Sequence, residues 1–554
     1  MDRRTTLATL LGQKTETAAP PVVTSGLTPY TGSFEFQQAS HLLRRTTFGP
    51  NYEMIKKAVN AGLDATLAEL LADNPLPEPP LNYDFEEDPL VPVGETWVNA
   101  TYPTGSLKSM VRNYRSRSLR AWTFKQMIEE GTSIRETMTL FWHNHYVTGD
   151  INDPNFEYRY ITLLRENALG NFRELTKKVT IDPAMLRYLN GNQNIAAAPN
   201  ENYARELLEL FTIGKGPLVG PGDYTNYTEQ DVIQMARVLT GWRDRGYNSS
   251  NPDQPVDVEF RYNQHDQLPK LLSPRFDNAI INDMADQEYA YLVDLIFTKN
   301  ECARFISRKL YRWFVYYVID DNVEQNVIEP LAQIIVDNDY EIKPALDALL
   351  RSEHFFDMLS MGPMIKHPID FMISALRNTN FSLSQFNLDQ EYTILWNIFR
   401  LNSEGMQMVY FTPPSVAGWK AWYQEPSFYR TWINSATLNV RQNYTARIAN
   451  SGYTGAGGVA KLDVLTFVAS LDDPFDPNNL ISEIASILFP QPISQAQKDA
   501  LKGVLIPGLP DFEWTVEYSD YVNNPGDPNL EAAVEDKLRN LLTAMLSMPE
   551  FYLS

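Results

Sequence analysis

The chain has 554 residues, a formal net charge of −22 at pH 7, and 44% hydrophobic and 12% aromatic residues, a composition typical of a folded globular protein. The acidic excess argues against nucleic acid as a partner, because that binding depends on clustered Lys and Arg side chains that neutralise phosphates. The single cysteine, Cys302, excludes an intramolecular disulfide and a multi-cysteine metal centre.

The N-terminal residues 1–33 are rich in Thr, Ala, Pro and Gly, and we predict a flexible tail there. Arg3 and Arg4 resemble the start of a twin-arginine export signal, but Gln13 and Lys14 interrupt the short apolar stretch behind them. Two interpretations stay open. A working or vestigial signal predicts a periplasmic or exported protein, whereas a plain polar tail predicts a cytoplasmic one.

Beyond the tail, we predict a main α-helical domain over residues 34–450 and a C-terminal helical portion over 451–554. The fold class is mainly α: a large multi-helical globular domain with long Pro-rich loops and few short strands. Prolines crowd the stretch from residue 73 to about 105, which we interpret as a long surface loop. The best strand candidate is 256–262. No apolar run approaches the roughly 20 residues that a membrane-spanning helix needs. Apolar residues at helical spacing predict helices at 106–130, 133–147, 156–168, 171–179, 201–213, 228–241, 283–298, 301–318, 322–338, 342–352, 366–377 and 427–445.

Two of the six histidines, His143 and His145, lie in one predicted helix. The apolar stripe of Ile134, Met138 and Phe141 continues by four residues to His145, so His145 should point into the core. His143 lies about 200° around the helix, so both rings reach one metal ion only if the helix ends nearby. The alternative is a buried imidazole held by a hydrogen bond to a neighbouring helix.

A second polar cluster surrounds the start of the helix at 201–213. Its candidate pocket residues are Asn144, Asn200, Glu201, Asn202, Arg205 and Glu209. The spacing of Glu201, Arg205 and Glu209 is also that of an ordinary surface ion-pair ladder. Glu206 lies off this ladder beside an apolar face, so we expect partial burial and a perturbed carboxyl pKa. We expect His145 to be buried near this helix, with Glu206, Asn200 or Asn202 as its polar partner.

His265 and Asp266 follow the strand candidate and are further candidates for a divalent metal site, although a solvated loop pair is the simpler interpretation. The metal candidates are therefore His143, His145, Glu206, His265 and Asp266. Three of them, His143, His145 and Glu206, are also the catalytic candidates. No phosphate-binding loop, dinucleotide fingerprint or nucleophile elbow stands in the sequence, so no cofactor other than a divalent metal is indicated.

Several stretches, in order and spacing, resemble the bacterial family catalogued as domain of unknown function 1800. The matching stretches cover about residues 35–445 and include 39–49 (ASHLLRRTTFG), 140–147, 164–172, 182–189, 199–214, 227–242, 305–315, 339–355 and 413–419 (PPSVAGW). The resemblance implies a bacterial source, frequent export and frequent pairing with a second exported protein related to sulfatases and phosphatases. It implies no activity. The family usually continues its His-Asp segment with Gly and a Lys-Thr pair, whereas Gln267 follows Asp266 here.

Two functions follow as alternatives. The first is a non-catalytic scaffold or partner of another exported, sulfatase- or phosphatase-like protein. The second is an envelope enzyme with a polar, metal-containing site at His143, His145 and Glu206. Oligomeric state and substrate are not indicated by any pattern in the sequence.

Overall fold

The computed structural model describes residues 23–221 and 223–554, and the chain is mainly helical, with 54% of residues in helices. The predicted export signal and most of the predicted tail lie outside the described residues. The first helices are α1 (Phe36–Thr46), α2 (Tyr52–Ala61), α3 (Leu63–Leu70), α4 (Leu107–Glu129), α5 (Arg135–His145), α6 (Pro154–Glu166), α7 (Phe172–Thr180) and α8 (Pro183–Tyr188). The middle helices are α9 (Asn202–Glu206), α10 (Glu229–Val238), α11 (Glu288–Ile296), α12 (Glu301–Phe314), α13 (Glu329–Asp337), α14 (Lys343–Leu350), α15 (Pro368–Arg377) and α16 (Leu388–Asn402). The last helices are α17 (Ser435–Ala449), α18 (Val464–Ala469), α19 (Pro477–Leu488), α20 (Gln495–Leu505), α21 (Asp511–Asn523) and α22 (Pro528–Leu546).

Two helices include π-helical turns, in which backbone hydrogen bonds skip one residue further than in an α-helix. Helix α9 continues as a π-helix over Leu207–Thr212. Helix α13 follows a single α-turn, Asp321–Val323, and a π-helical segment, Glu324–Ile328.

The described strands are short and form four antiparallel pairs. They are β1 (Leu218–Gly220) with β2 (Asp223–Tyr224), β3 (Trp242–Arg245) with β4 (Asp257–Phe260), β5 (Lys270–Leu271) with β6 (Ile280–Ile281), and β7 (Tyr453–Gly455) with β8 (Gly458–Ala460). In the β3–β4 pair Trp242 lies opposite Phe260. The predicted strand at 256–262 is therefore β4, and the predicted mainly helical fold with few strands is confirmed.

One predicted helix starts in the wrong place. Residues predicted as the start of the helix at 427–445 form a 3-10 turn, Phe428–Trp432, and α17 begins only at Ser435. The reason is local, because the side chain of Asn434 accepts hydrogen bonds from the backbone N–H groups of Ala436 and Thr437. That contact fixes the first turn.

The proline-rich stretch between α3 and α4 contains no helix and no strand and is mostly exposed, as predicted for a surface loop, but several of its side chains anchor it to α4. Trp97 is fully buried, and its indole N–H donates to the hydroxyl of Ser118 on α4 at 2.9 Å. Arg115, also on α4, forms a buried ion pair with Asp88 of the loop at 3.0 Å. Large side chains of the loop therefore pack against α4, where they are shielded from solvent.

One hydrophobic cluster contains buried side chains from both predicted portions of the chain, for example Leu42 on α1 and Leu542 on α22. The proposed division at residue 450 stays a prediction. Within the described residues, no helix combines the length and the apolarity that crossing a membrane requires.

Candidate functional site: a buried cationic cavity

Basic side chains from separate parts of the chain meet at one small cavity. Arg44 and Arg45 come from the last turn of α1, and Lys366 and His367 come from the segment that enters α15. Together with Asp370 in the first turn of α15 they line the space that we call the cationic cavity. All five side chains are buried.

The start of α15 explains how its side chains are positioned. His367 caps the helix: its Nδ1 accepts a hydrogen bond from the backbone N–H of Asp370 at 3.2 Å, and Pro368 occupies the first helical position. The preceding residue is fixed on both sides. The N–H of Lys366 donates to the carbonyl of Tyr552 at 2.8 Å, and the carbonyl of Lys366 accepts from Arg441 of α17 at 2.9 Å.

Backbone carbonyls accept hydrogen bonds from both guanidinium groups at the end of α1. Arg44 donates from Nη2 to the carbonyl of Ile487 at 2.8 Å, and Arg45 donates from Nη2 to the carbonyls of Val315 and Ser360 at 3.2 and 3.0 Å. Carbonyls fix the position of a guanidinium group without cancelling its charge. The field of these arginines therefore reaches the cavity.

Several polar atoms around the cavity have no hydrogen-bond partner among the described residues. The ammonium nitrogen of Lys366 is one of them, although this side chain is only 1% exposed. Its Nζ lies over the ring of Phe551, 4.0 Å from the ring centroid. The indole N–H of Trp422, the Oγ1 of Thr137 and the Oδ1 of Asp370 are also unpaired. A buried polar group without a partner costs about 1–3 kcal/mol, so such a concentration is unusual.

Burial and mutual charge set the ionisation of this cluster. Burial lowers the pKa of Lys366, and Arg44 and Arg441 lower it further, against an opposing effect of Asp370. Burial raises the pKa of Asp370, which the neighbouring cations oppose. The pKa of His367 is lowered to about 3, mainly by burial and then by Arg441, so this ring is neutral near pH 7. The site therefore concentrates cationic groups around one carboxyl group.

The cavity has a volume of about 30 Å³. Trp313 and Trp422 stack on each other at one wall, with ring centroids 4.2 Å apart. A space of this size holds roughly one or two water-sized groups, so it admits one or two oxygens of a compact anion and excludes a whole nucleotide or sugar. Positive charge, unpaired donors and small size together match a compact oxyanion.

His145, the residue whose direction the sequence predicts, lies elsewhere. Its ring is buried, as predicted, and Nε2 lies 3.0 Å from the carbonyl oxygen of Phe211 in the π-helix. The ammonium group of Lys309 on α12 lies 2.9 Å from Nδ1 of the same ring and donates to the carbonyl of Leu210, also at 2.9 Å. The expected partners Glu206, Asn200 and Asn202 are not the ones used. The π-helical turn instead leaves carbonyls exposed to the side chains of α5 and α12.

His143 faces the opposite side of α5. Its ring stacks on Tyr410 with centroids 5.1 Å apart, and neither ring nitrogen has a hydrogen-bond partner among the described residues. Burial lowers the pKa of His143 to about 3. The structure therefore places His143 and His145 in different environments. Within the described residues, the two rings and Glu206 form no group with ligand atoms close enough for one metal ion.

The other predicted pocket residues have separate contacts. Arg205 pairs with Glu201 at 3.1 Å and with Glu229 at 2.7 Å, and Glu209 pairs with Lys215 at 2.6 Å. Burial, and then Glu209, raises the pKa of Glu206.

The three asparagines of the predicted pocket also act locally. Asn194 accepts from the N–H of Asn200 at 2.8 Å, and Asn200 accepts from the N–H of Asn202 at 2.9 Å. Asn144 accepts from the N–H of Trp419 at 3.1 Å. These residues fasten loops and helix ends, and they do not line one pocket together.

His265 is brought to two carboxylates, but Asp266 is not one of them. Asp266 forms a two-pronged ion pair with Arg237 at 2.7 and 3.1 Å. His265 instead lies 2.6 Å from Glu288 at the start of α11 and 3.9 Å from Asp283. Burial lowers the pKa of His265, but its contacts with Glu288 and Thr240 raise it more, so the net shift is upward.

Sequence reasoning missed every residue of the cationic cavity. Arg44 and Arg45 end a helix, where basic side chains are common because they complement the helix dipole. One local signal is present: the segment Lys366–Asp370 (KHPID) combines a helix cap with a basic and an acidic residue. Only the tertiary contacts show that these side chains are buried.

The comparisons with known proteins give a family and no activity. The family described as protein of unknown function (DUF1800) matches residues 41–553. No curated protein and no solved structure matches the chain significantly.

Proposed function

Because this chain belongs to the DUF1800 family of proteins of unknown function, a function has to be argued from its own geometry, and we propose that it binds a compact oxyanion in the cationic cavity. The ligand class is a carboxylate or phosphate group, which share negative oxygens that accept hydrogen bonds. The observation that carries the proposal is the ammonium group of Lys366, which is buried beside the cavity without a hydrogen-bond acceptor.

The surroundings of Lys366 support an anion rather than a metal or a neutral ligand. Arg44 and Arg45 line the same space, and Trp422 and Thr137 add donors there that have no acceptor. Water alone would satisfy the hydrogen bonds but would add no negative charge to that of the single carboxyl group, Asp370. An oxyanion supplies both hydrogen-bond acceptors and negative charge, and charge-assisted hydrogen bonds are about twice as strong as neutral ones.

The experiment compares wild type with Lys366→Met and, as a matched control, Lys309→Met, which removes a partly buried lysine away from the cavity. Phosphate, sulfate, formate and acetate are titrated at constant ionic strength, with chloride as the reference anion. Calorimetric titration and the shift in melting temperature measure binding. We expect saturable stabilisation of wild type and of Lys309→Met by at least one oxyanion, and at least a tenfold loss of affinity in Lys366→Met.

The separate anions distinguish the two sources of the ligand group: tighter binding of formate or acetate indicates a carboxylate, and tighter binding of phosphate indicates a phosphoryl ligand. Without any added oxyanion, Lys366→Met should be more stable than wild type by about 1–2 kcal/mol, because it removes a buried ammonium group that has no hydrogen-bond acceptor and whose charge Asp370 offsets only in part. Equal anion binding by wild type and Lys366→Met, or no saturable binding by wild type, contradicts the proposal.

The two functions suggested by sequence stay predictions. A scaffold for another exported protein is compatible with an oxyanion cavity, because a partner can present a carboxylate. An envelope enzyme centred on His143, His145 and Glu206 gains no support from geometry, because these side chains have separate neighbours.

A further inference from the structure

A second polar cluster lies at the start of α11, away from the residues that line the cationic cavity. One ligand atom each from His265, Asp283 and Glu288 lies within 4.8 Å of the others, and among the described residues no other group of three such side chains does so. His265 and Glu288 are buried, whereas the side chain of Asp283 is 27% exposed. The cluster is therefore closed on one side and open to solvent on the other.

Each of the three side chains has one polar atom fixed by a neighbour and another directed to the common centre. The Nδ1–H of His265 donates to the carbonyl of Thr240 at 2.9 Å, which leaves Nε2 facing Glu288. The hydroxyl of Tyr262 donates to Oδ2 of Asp283 at 2.6 Å. Oδ1 of Asp283 accepts from the backbone N–H of Ala285 at 3.0 Å and lies 3.9 Å from Nε2 of His265, so its second lone pair is the one that a metal ion would use. A backbone carbonyl on the second nitrogen of histidine is the usual support for a metal-binding imidazole.

Lys270 gives the same support to the third side chain. Its ammonium group pairs with Oε1 of Glu288 and also donates to the carbonyl of Asp266. Oε2 of Glu288 therefore remains directed to Nε2 of His265, at 2.6 Å. Lys270 is itself fully buried, so its charge stays beside Glu288 and leaves one carboxylate oxygen for a ligand bond.

We propose that His265, Asp283 and Glu288 bind one divalent transition-metal ion, such as Zn²⁺. One imidazole and two carboxylates are a ligand set that zinc accepts, and three protein ligands leave a coordination position open on the solvent side, at Asp283. With zinc–ligand bonds of about 2.0–2.2 Å, two ligand atoms of a tetrahedral ion lie about 3.3–3.6 Å apart. The ion therefore replaces the direct contact, and Nε2 of His265 and Oε2 of Glu288 move apart from 2.6 Å.

His265 and Lys270 are both buried beside Glu288. A competing arrangement is therefore a structural ion-pair network of these three side chains without a metal ion. Both arrangements use the same contacts, so metal binding itself has to be measured. Asp283 distinguishes the two arrangements. It lies 3.9 Å from His265, so it contributes little to an ion-pair network, but it would be a full ligand of the metal ion. It is also partly exposed, so its substitution leaves the core unchanged.

The experiment measures Zn²⁺ binding to the full chain by calorimetric titration after treatment with a chelator, with visible absorption of Co²⁺ as a second readout of coordination. Asp283→Asn is compared with Asp286→Asn, which neutralises an exposed carboxylate in the same loop outside the cluster. We expect one ion per chain in wild type and Asp286→Asn, and at least tenfold weaker binding in Asp283→Asn.

Glu206→Gln provides a further control, because it removes the carboxylate of the alternative metal site suggested by sequence. It should bind Zn²⁺ as wild type does. Absence of saturable binding in wild type, or equal binding in Asp283→Asn and Asp286→Asn, would show that the cluster is an ion-pair network without a metal. The result is independent of oxyanion binding, which uses different residues and a different probe.

Discussion

Two lysines, Lys309 and Lys366, distinguish two polar regions of the protein. Lys309 lies between His145 and the π-helix, and its ammonium group has two hydrogen-bond partners, Nδ1 of His145 and the carbonyl of Leu210. Lys366 lies at the cationic cavity and has none among the described residues. Burial lowers the pKa of both. Lys309 is partly buried and Lys366 is 1% exposed, so the more enclosed ammonium group is the one without a hydrogen-bond partner.

That difference assigns different roles to the two regions. Around Lys309 the polar atoms of one segment form hydrogen bonds with those of another, because the π-helical turn presents carbonyls and α5 and α12 present donors. Such a network fixes helices relative to each other, and its polar atoms find their partners within the protein. At Lys366 the donors outnumber the acceptors, which is the arrangement expected of a site completed by a molecule from outside.

The largest expected effect is that of removing Lys309, whose ammonium group has hydrogen-bond partners. Lys309→Met leaves Nδ1 of His145 and the carbonyl of Leu210 buried without a donor, at about 1–3 kcal/mol for each. We expect the free energy of unfolding at pH 9 to fall by about 3 kcal/mol, measured by urea denaturation. Lys366→Met under the same conditions should not be destabilised. Similar destabilisation of both variants would remove the distinction between the two regions.

The stability of wild type and of Lys309→Met should also depend differently on pH. The pKa of Lys309 is lowered to about 7 in the folded protein, mainly by burial and then by Arg312. An unfolded lysine has a pKa of about 10.4, so between these values the unfolded chain binds a proton that the folded chain does not. Wild-type stability should therefore rise with pH above 7, by roughly 2 kcal/mol between pH 7 and 9 relative to Lys309→Met. Below pH 7 both states carry the proton and this contribution stops changing. Urea denaturation at several pH values measures the difference, and a difference that is flat from pH 7 to 9 contradicts the assignment of a lowered pKa.

The sequence predicts the helices of both regions better than their polar contacts. The stripe of Ile134, Met138 and Phe141 indicates correctly that His145 points inward, because helical periodicity is a local property. Its partner Lys309 is one of the residue types that are almost never fully buried without a partner, so the sequence gives no reason to place it in the core. The carbonyls it uses depend on a π-helical turn, which the spacing of apolar residues at 201–213 does not reveal.

The cationic cavity escapes prediction for a related reason. Arg44 and Arg45 have the position of ordinary basic residues at a helix end, and Lys366 has that of a residue before a helix cap. Their burial arises from α17, α19 and the C-terminal 3-10 turn, Pro549–Tyr552, which are distant in sequence. Contacts between distant segments decide whether a charged side chain is exposed or enclosed, and local patterns carry no information about them.

His143 provides the smallest and most direct test of the principle behind the comparison, because it is neutral near pH 7 and buried with both ring nitrogens unpaired. If an unpaired buried polar atom destabilises this fold, His143→Phe keeps an aromatic ring against Tyr410, removes two unsatisfied nitrogens and should raise the free energy of unfolding by up to about 1 kcal/mol. His145→Phe is the matched control on the same helix. It breaks contacts with Phe211 and Lys309 and should be destabilised by about 2–4 kcal/mol. Thermal and urea denaturation of both variants give the two values. Destabilisation of His143→Phe by as much as His145→Phe would mean that unpaired atoms in this interior are as important to stability as paired ones, and the contrast between Lys309 and Lys366 would then no longer identify a ligand site.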